Sequence, residues 1–299
     1  MIGNHQLVVI DEAQRVKNIG VSLKLIIDKI KDVQLIVSGS SALELANEIN
    51  EPLTGRKWEF TMFPLSTQEM CNHRSVLEEK RMLPNRLVFG LYPDVVNHPG
   101  REKQILKNLT DSYLYKDLFS FQDVRKPEVI EKILQALSLQ IGSEVSYNEI
   151  ADLVKSDPAT VSRYIDLLEK TMVVFRLPSL SRNLRNEIKK SRKIYFYDNG
   201  IRNAIIANFQ TIELRKDIGA LWENFLVAER FKFIQHNNLF ANRFFWRTKQ
   251  QQEIDYIEEH DGKLHAFEFK WKPGKNVKPS LTFTKAYPEN EFQVITPDN

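Results

Sequence analysis

Two groups of residues have the types and spacing for phosphate chemistry. The first is Asp11-Glu12, two adjacent carboxylates that end the apolar run Leu7-Val8-Val9-Ile10. Such a run reads as a buried parallel strand that presents its acids at the rim of a sheet, where α/β folds place their ligands. One carboxylate there can hold Mg²⁺ through water while its neighbour orients a water for attack on a phosphate. A core strand followed by an acidic helix start fits the same residues, because acids suit helix N-termini. The second group is Asp255 followed by Glu268-Phe269-Lys270, with Glu223 upstream. Hydrolysis of a phosphodiester needs carboxylates such as Asp255 and Glu268 to hold Mg²⁺ or Mn²⁺, and a lysine such as Lys270 to position water or offset charge. Glu-x-Lys on an amphipathic strand is common by chance. The full order of helix acid, strand Asp, hairpin and Glu-x-Lys is much less so.

Other elements must position these groups. Residues Asn18 to Lys31 place Val21, Leu25, Ile26 and Ile30 at helical spacing, and Val33 to Val37 reads as a second strand. Strand, helix and strand predict a right-handed βαβ unit. Its second strand ends in Ser38-Gly39-Ser40-Ser41, which puts the Ser38 hydroxyl beside Asp11 and Glu12. The acid-tipped first strand has the form of a Walker B strand. Arg56 falls just before an expected strand, Lys57 to Phe63, where an arginine finger would stand, although most such arginines are simply solvated. For the second group, Gly219 to Glu229 opens a long helix. Strands follow at Phe244 to Arg247, Gln252 to Ile257 and Lys263 to Lys270, the last two joined by an Asp261-Gly262 hairpin turn. Alternation puts Glu253 and Asp255 on one face, and likewise Glu268 and Lys270. Trp246, Arg247, Lys249 and Gln251 flank this site as a groove lining, and Trp271 to Lys275 with Lys278 adds basic residues.

The middle of the chain predicts a winged helix-turn-helix over 128–180. Glu128 to Leu139 is a first helix, Ser146 to Glu149 is a capping box opening a second, and Asp157-Pro158 caps a third. Val161, Ile165 and Leu168 face inward on that third helix, and Met172 to Leu177 alternates as a strand. The third helix is expected to expose Thr160, Ser162, Arg163 and Tyr164 to base edges or phosphates, or else to bind protein. Ser181 to Lys193 carries six basic residues and one acid, including Arg182, Arg185, Lys189 and Lys190. It reads as a solvated loop or a ridge facing phosphate. Asp198 reads as a helix cap, and Ile105 to Phe121 as a helix.

The strings VVIDEAQRV, LIVSGSSALEL, LTGR, Phe63-Pro64-Leu65-Ser66 with Glu69, and Gly90-Leu91-Tyr92-Pro93 resemble the AAA-type ATPases of archaea and bacteria that carry a C-terminal restriction-endonuclease-like domain. Leu91 departs from that family's Gly-Gly-Tyr-Pro. The order Glu223, Asp255, Glu268, Lys270 resembles the PD-(D/E)xK nuclease superfamily, with Ile254 in place of the usual proline. The resemblance implies an α/β chain of four parts: a partial P-loop NTPase sheet over 1–74, a helical connector over 75–127, the winged helix-turn-helix over 128–180, and a nuclease-like α/β domain over 181–299. It implies Asp11, Glu12, Ser38 and Arg56 as a nucleotide-site remnant, with ATP and Mg²⁺ bound only where a P-loop is supplied. No G-x-x-x-x-G-K-[ST] occurs in this sequence, and the Walker B strand begins six residues after the first. The expectation is therefore an N-terminally truncated ATPase part that packs poorly and does not hydrolyse ATP alone.

Composition bounds the rest. The 299 residues allow about two domains, and 42% hydrophobic with 27% charged residues is ordinary for a folded domain. A net charge of +3 does not by itself imply nucleic acid. The lone Cys71 excludes a disulfide framework, and His5, His236, His260 and His265 do not cluster at ligand spacing. No apolar run reaches membrane-span length and no secretory signal is visible, so a cytoplasmic protein is expected. DNA is the expected partner, with a protein partner or a second copy of the chain as further expectations. The competing expectation to a nuclease is a fold that binds DNA or protein without cutting.

Overall fold

The computed structural model describes residues 5–30, 32–39, 53–114, 126–181, 191–248, 250–272 and 277–299. They form two compact units, 1–62 and 63–299.

The first unit holds β1 (Leu7–Ile10), a 3₁₀ turn (Ala13–Arg15), α1 (Ile19–Lys29) and β2 (Gln34–Val37). β1 and β2 pair in parallel from Leu7↔Gln34 to Ile10↔Val37, the expected strand–helix–strand arrangement. Neither strand is buried on both faces. Ile10, Leu35 and Val37 pack on Ala13, Ile19, Leu23 and Leu53, while Leu7, Val9 and Ile36 stay exposed. The helix also turns a different face inward from the one expected. Ile19 and Leu23 are buried, whereas Val21, Leu25 and Ile30 are exposed. Apolar residues are spread around this helix, so spacing alone does not select its core face. No strand forms over 57–62, and Trp58, Phe60 and Met62 are exposed. A strand needs a paired neighbour, and among the described residues β1 and β2 pair only with each other.

The second unit begins with helices α2 (Thr67–His73), α3 (Val76–Phe89), α4 (Pro93–Asn97) and α5 (Glu102–Asn108). The Ser66–Glu69 capping box starts α2. This stretch was expected as a connector. Instead Leu87, Leu91 and Val96 enter one core and Val95 and Leu106 the other, so the boundaries expected at 74, 127 and 180 fall inside one compact unit.

Next come α6 (Pro127–Leu139), β3 (Glu144–Val145), α7 (Tyr147–Val154), α8 (Pro158–Lys170), β4 (Val174–Pro178) and β5 (Arg192–Phe196). Ser146 caps α7 and Asp157 caps α8, with Pro158 in the first turn. Val161, Ile165 and Leu168 are fully buried, as the spacing predicts. The strands form an antiparallel sheet in the order β3-β5-β4. After α9 (Asn199–Ile205) and α10 (Ile218–His236) comes a four-stranded sheet of β6 (Asn242–Arg247), β7 (Glu253–His260), β8 (Lys263–Phe269) and β9 (Asn290–Ile295). Neighbours pair antiparallel except β8 and β9, which run parallel across a crossover carrying α11 (Leu281–Ala286).

One junction explains the Gly-Leu-Tyr-Pro string. Asp198 caps α9 by accepting the N–H groups of Gly200 and Ile201, at 2.8 and 3.2 Å, and also accepts that of Leu91 at 2.7 Å. Asn203 donates to the carbonyls of Leu87 and Val88. The end of α3 is thus tied to the start of α9, and Asp198 is a cap, as expected. Gly90 sits there at φ +72°, and a Cβ on it would lie 2.0 Å from the Asp198 carboxylate. Gly90→Ala is expected to cost at least about 2 kcal/mol, read as a lower urea midpoint. An unchanged midpoint would contradict the junction.

Candidate functional site

The site is assembled from β5, α10, β7 and β8. Asn224 on α10 donates to the Phe196 carbonyl at 3.1 Å and accepts the Phe196 N–H at 2.8 Å, which pins the helix to β5. That anchor sets the neighbouring Glu223 beside Lys193 and Tyr195, two residues of one face of β5. On β7 the register shifts: Trp246 faces Ile254 and Phe244 faces Ile257, so Asp255 and Tyr256 together oppose Phe245. A bulge of this kind re-aims side chains. Ile254 and Ile257 stay in the core with Phe283, while Tyr256 joins Trp222 and Phe225 of α10. Asp255 lies on the bulge, 8% exposed, with one carboxylate oxygen accepting the Phe269 N–H at 2.8 Å.

Lys193 is the hub. Its ammonium is 2.8 Å from Glu223 and 2.5 Å from Glu253, and the side chain is 1% exposed. Tyr195 donates to the same Glu223 oxygen at 2.6 Å. Lys270 pairs with Glu268 at 2.6 Å. Burial, reinforced by the charge of Asp255, pushes the Glu223 carboxyl up to about 7, against the pull of Lys193. Burial also raises Asp255, with Lys193 opposing. Glu268 is raised by burial and then by Asp255. Burial works against the charged Lys270, yet its bond and attraction to Glu268 leave it raised. Burial opposes the Lys193 charge as well, and the surrounding carboxylates more than offset it.

The structure therefore brings Glu223, Asp255, Glu268 and Lys270 into one electrostatic cluster. It adds Lys193, Tyr195 and Glu253. Lys193 was expected at the end of a solvated loop or basic ridge, and its burial in an ion pair corrects that. Its signal was present in the sequence: Lys193 and Tyr195 alternate as polar positions within an apolar strand. Arg247 was expected to face nucleic acid, but its guanidinium lies 3.8 Å from Glu253 and 3.7 Å from Glu144 and bonds Gln251, so its charge is matched within the protein. Trp246 is buried against Phe283 rather than lining a groove. On α8, Arg163 is exposed, but Tyr164 is buried and the Thr160 hydroxyl bonds Asp157. Arg182, Arg185, Lys189, Lys190, Lys249 and Lys275 lie outside the described residues.

In the first unit, the Ser38 hydroxyl donates to Asp11, so these two meet at the strand ends as expected. Glu12 pairs with Arg15 at 3.2 Å, and Arg56 pairs with Asp28 at 2.6 Å near the end of α1. His260 and His265 stack at 4.5 Å, and His265 pairs with Glu291. Among the described residues, no group of three or more His, Cys, Asp or Glu side chains is arranged to hold a metal ion, and no helix is long and apolar enough to cross a membrane.

Three family models match successive parts of the chain. Residues 1–71 match an AAA domain, 80–212 match a domain of unknown function (DUF8612), and 218–298 match another (DUF4143). An uncharacterized protein of Mycobacterium tuberculosis is 25% identical over 280 residues, covering 92% of this chain and 61% of that one. An uncharacterized protein of Methanocaldococcus jannaschii is 24% identical over 276 residues, covering 86% and 59%. One of Haemophilus influenzae is 25% identical over 186 residues, covering 58% and 46%. The chain spans about three-fifths, or less, of the length of these curated relatives. These matches support an AAA-type ATPase family and a mixed α/β fold with an ATPase-like N-terminal unit.

A raised acid binds its proton more tightly when folded. For Glu223 the stabilisation is present below its ordinary 4.5 and is lost as pH rises through about 7. The decline attributable to this group is on the order of 3 kcal/mol. Glu223→Gln is expected to remove that share of the fall in unfolding free energy between pH 4.5 and 7. A parallel fall in the variant would place the titrating group elsewhere.

Proposed function

We propose that the second unit is a PD-(D/E)xK-type phosphodiesterase acting on DNA, attached to an AAA-type ATPase-like unit. The observation that carries the reading is the cluster of Glu223, Asp255 and Glu268 with Lys270, three partly or fully buried carboxyls whose proton affinities are all raised. Such a cluster is relieved by a divalent cation. Asp255 and Glu268 offer hard oxygen donors that suit Mg²⁺ or Mn²⁺, and a pair of carboxylates fits an ion that keeps waters and takes phosphate oxygens for the rest of its shell. When bound, that ion polarises the phosphate and lowers the pKa of a water. Lys270 positions that water or offsets the developing charge, and Glu223 supports Asp255 through the shared Lys193.

The helix–strand–helix–turn–helix–strand–strand order over 127–196 agrees with a winged helix, with exposed Arg163 on α8 as a phosphate contact. Asp11 with Ser38 would serve ATP and Mg²⁺ where a P-loop completes the site, and the chain alone would not hydrolyse ATP. One observation favours a second reading. The Lys193 ammonium already sits among the carboxylates in place of a cation. A module of this kind binds DNA or a protein partner without cutting, and in the longer relatives could serve an ATP-driven switch.

Nicking of supercoiled plasmid by the purified chain with Mn²⁺ separates the readings. The expected result is nicking that needs the metal and is lost in Asp255→Asn and Lys270→Ala. Absence of nicking with both Mg²⁺ and Mn²⁺ would overturn the phosphodiesterase reading in favour of binding alone.

A further inference from the structure

Lys193 commits two of the four carboxylates of the cluster to itself. Its ammonium pairs with Glu223 at 2.8 Å and with Glu253 at 2.5 Å. The same Glu223 oxygen, Oε1, also accepts the Tyr195 hydroxyl at 2.6 Å, so its lone pairs face two protein donors. On Glu253 one oxygen meets Lys193 and the other lies 3.8 Å from the Arg247 guanidinium.

The fold gives Lys193 no room to step aside. It stands on β5, the middle strand of its sheet, between Glu144 of β3 and Leu177 of β4, and it is 1% exposed. Its ammonium lies 5.5 Å from the centroid of the Phe245 ring, within cation–π range. A metal ion that took Glu223 and Glu253 would leave that ammonium buried without a carboxylate, which is strongly unfavourable.

Asp255 and Glu268 are placed differently. Asp255 Oδ2 accepts the Phe269 N–H, and Glu268 Oε1 meets Lys270. The other oxygen of each accepts no hydrogen bond among the described residues. Two such oxygens suit one hard cation that keeps waters for the rest of its shell. A pair of ions about 3.5–4 Å apart needs more donors than these. The charges agree. With Arg247 set against Glu144, the four carboxylates face two ammonium groups, which leaves the charge that one divalent ion balances.

We propose that Lys193 stands in for a second metal ion, so that the cluster takes a single divalent cation, at Asp255 and Glu268. The inference rests on the metal-binding reading of the cluster given above. Lys193 is then a positioning residue. It holds Glu223 and Glu253 and supplies, on a strand of the scaffold, a positive charge that does not dissociate.

Titration of the full chain with Mn²⁺, followed by electron paramagnetic resonance, counts the bound ions. The expected result is one Mn²⁺ per chain, lost in Asp255→Asn, without the spin-coupled signal that two ions about 3.5–4 Å apart give. Lys193→Met, checked for cooperative unfolding, frees Glu223 and Glu253 and is expected to raise the count from one to two, with the coupled signal. Two coupled ions in the wild type, both lost in Asp255→Asn, would overturn the proposal and leave the metal-binding reading standing. No bound ion in the wild type would overturn that reading and this inference with it. A folded Lys193→Met that still takes one ion would overturn the role given to the ammonium. If that variant does not fold, the wild-type count decides.

Discussion

The second unit depends on one buried charge. The Lys193 ammonium is almost wholly removed from water, and an isolated cation there would cost several kcal/mol even after relaxation. Glu223 and Glu253 make its burial tolerable, and they come from different elements, α10 and β7. The ion pair therefore requires β5, α10 and β7 to be in register with one another. The Asn224 bracket on Phe196 and the β7 bulge supply that register. Removing either glutamate would leave the ammonium short of a partner, which is why the scaffold and the candidate site cannot be separated energetically.

The same arrangement sets the charge balance of the site. Four carboxylates (Glu223, Glu253, Asp255 and Glu268) stand against three cations (Lys193, Arg247 and Lys270). Burial makes full ionisation of Glu223, Asp255 and Glu268 unfavourable, and the charge of Asp255 adds to it at the other two. A Gly142 turn after α6 comes close as well: a Cβ there would lie 3.3 Å from a Glu223 oxygen. The turn between α6 and β3 thus lies close to the carboxylate cluster, and Arg247 bridges toward Glu144 of β3 on the same side.

Much of this was legible in the sequence. Period-two alternation and the Asp261-Gly262 turn located Asp255, Glu268 and Lys270 before any fold was known, and the resemblance to the nuclease superfamily added Glu223. The caps at Ser146, Asp157 and Asp198 were equally plain, because capping chemistry is local. What escaped was tertiary. Lys193 looked like one more member of a basic run, since only the fold reveals that Glu223 and Glu253 lie opposite it. The bulge at Asp255 left no composition signal. The core face of α1 was misread because its apolar residues surround the axis. The stretch expected as a connector contains Gly90, whose junction with Asp198 joins elements far apart in the sequence.

The proposed phosphodiesterase function requires the cluster to exchange protons for a divalent cation. Calorimetric titration of Mn²⁺ at pH 7, repeated in buffers of different ionisation enthalpy, measures it directly. The account predicts binding to wild type with release of protons, because Glu223, Asp255 and Glu268 all hold protons more tightly than usual. It predicts loss of that binding when Asp255 and Glu268 are both replaced by amides. Binding without proton release, or binding undiminished in the double variant, would contradict it.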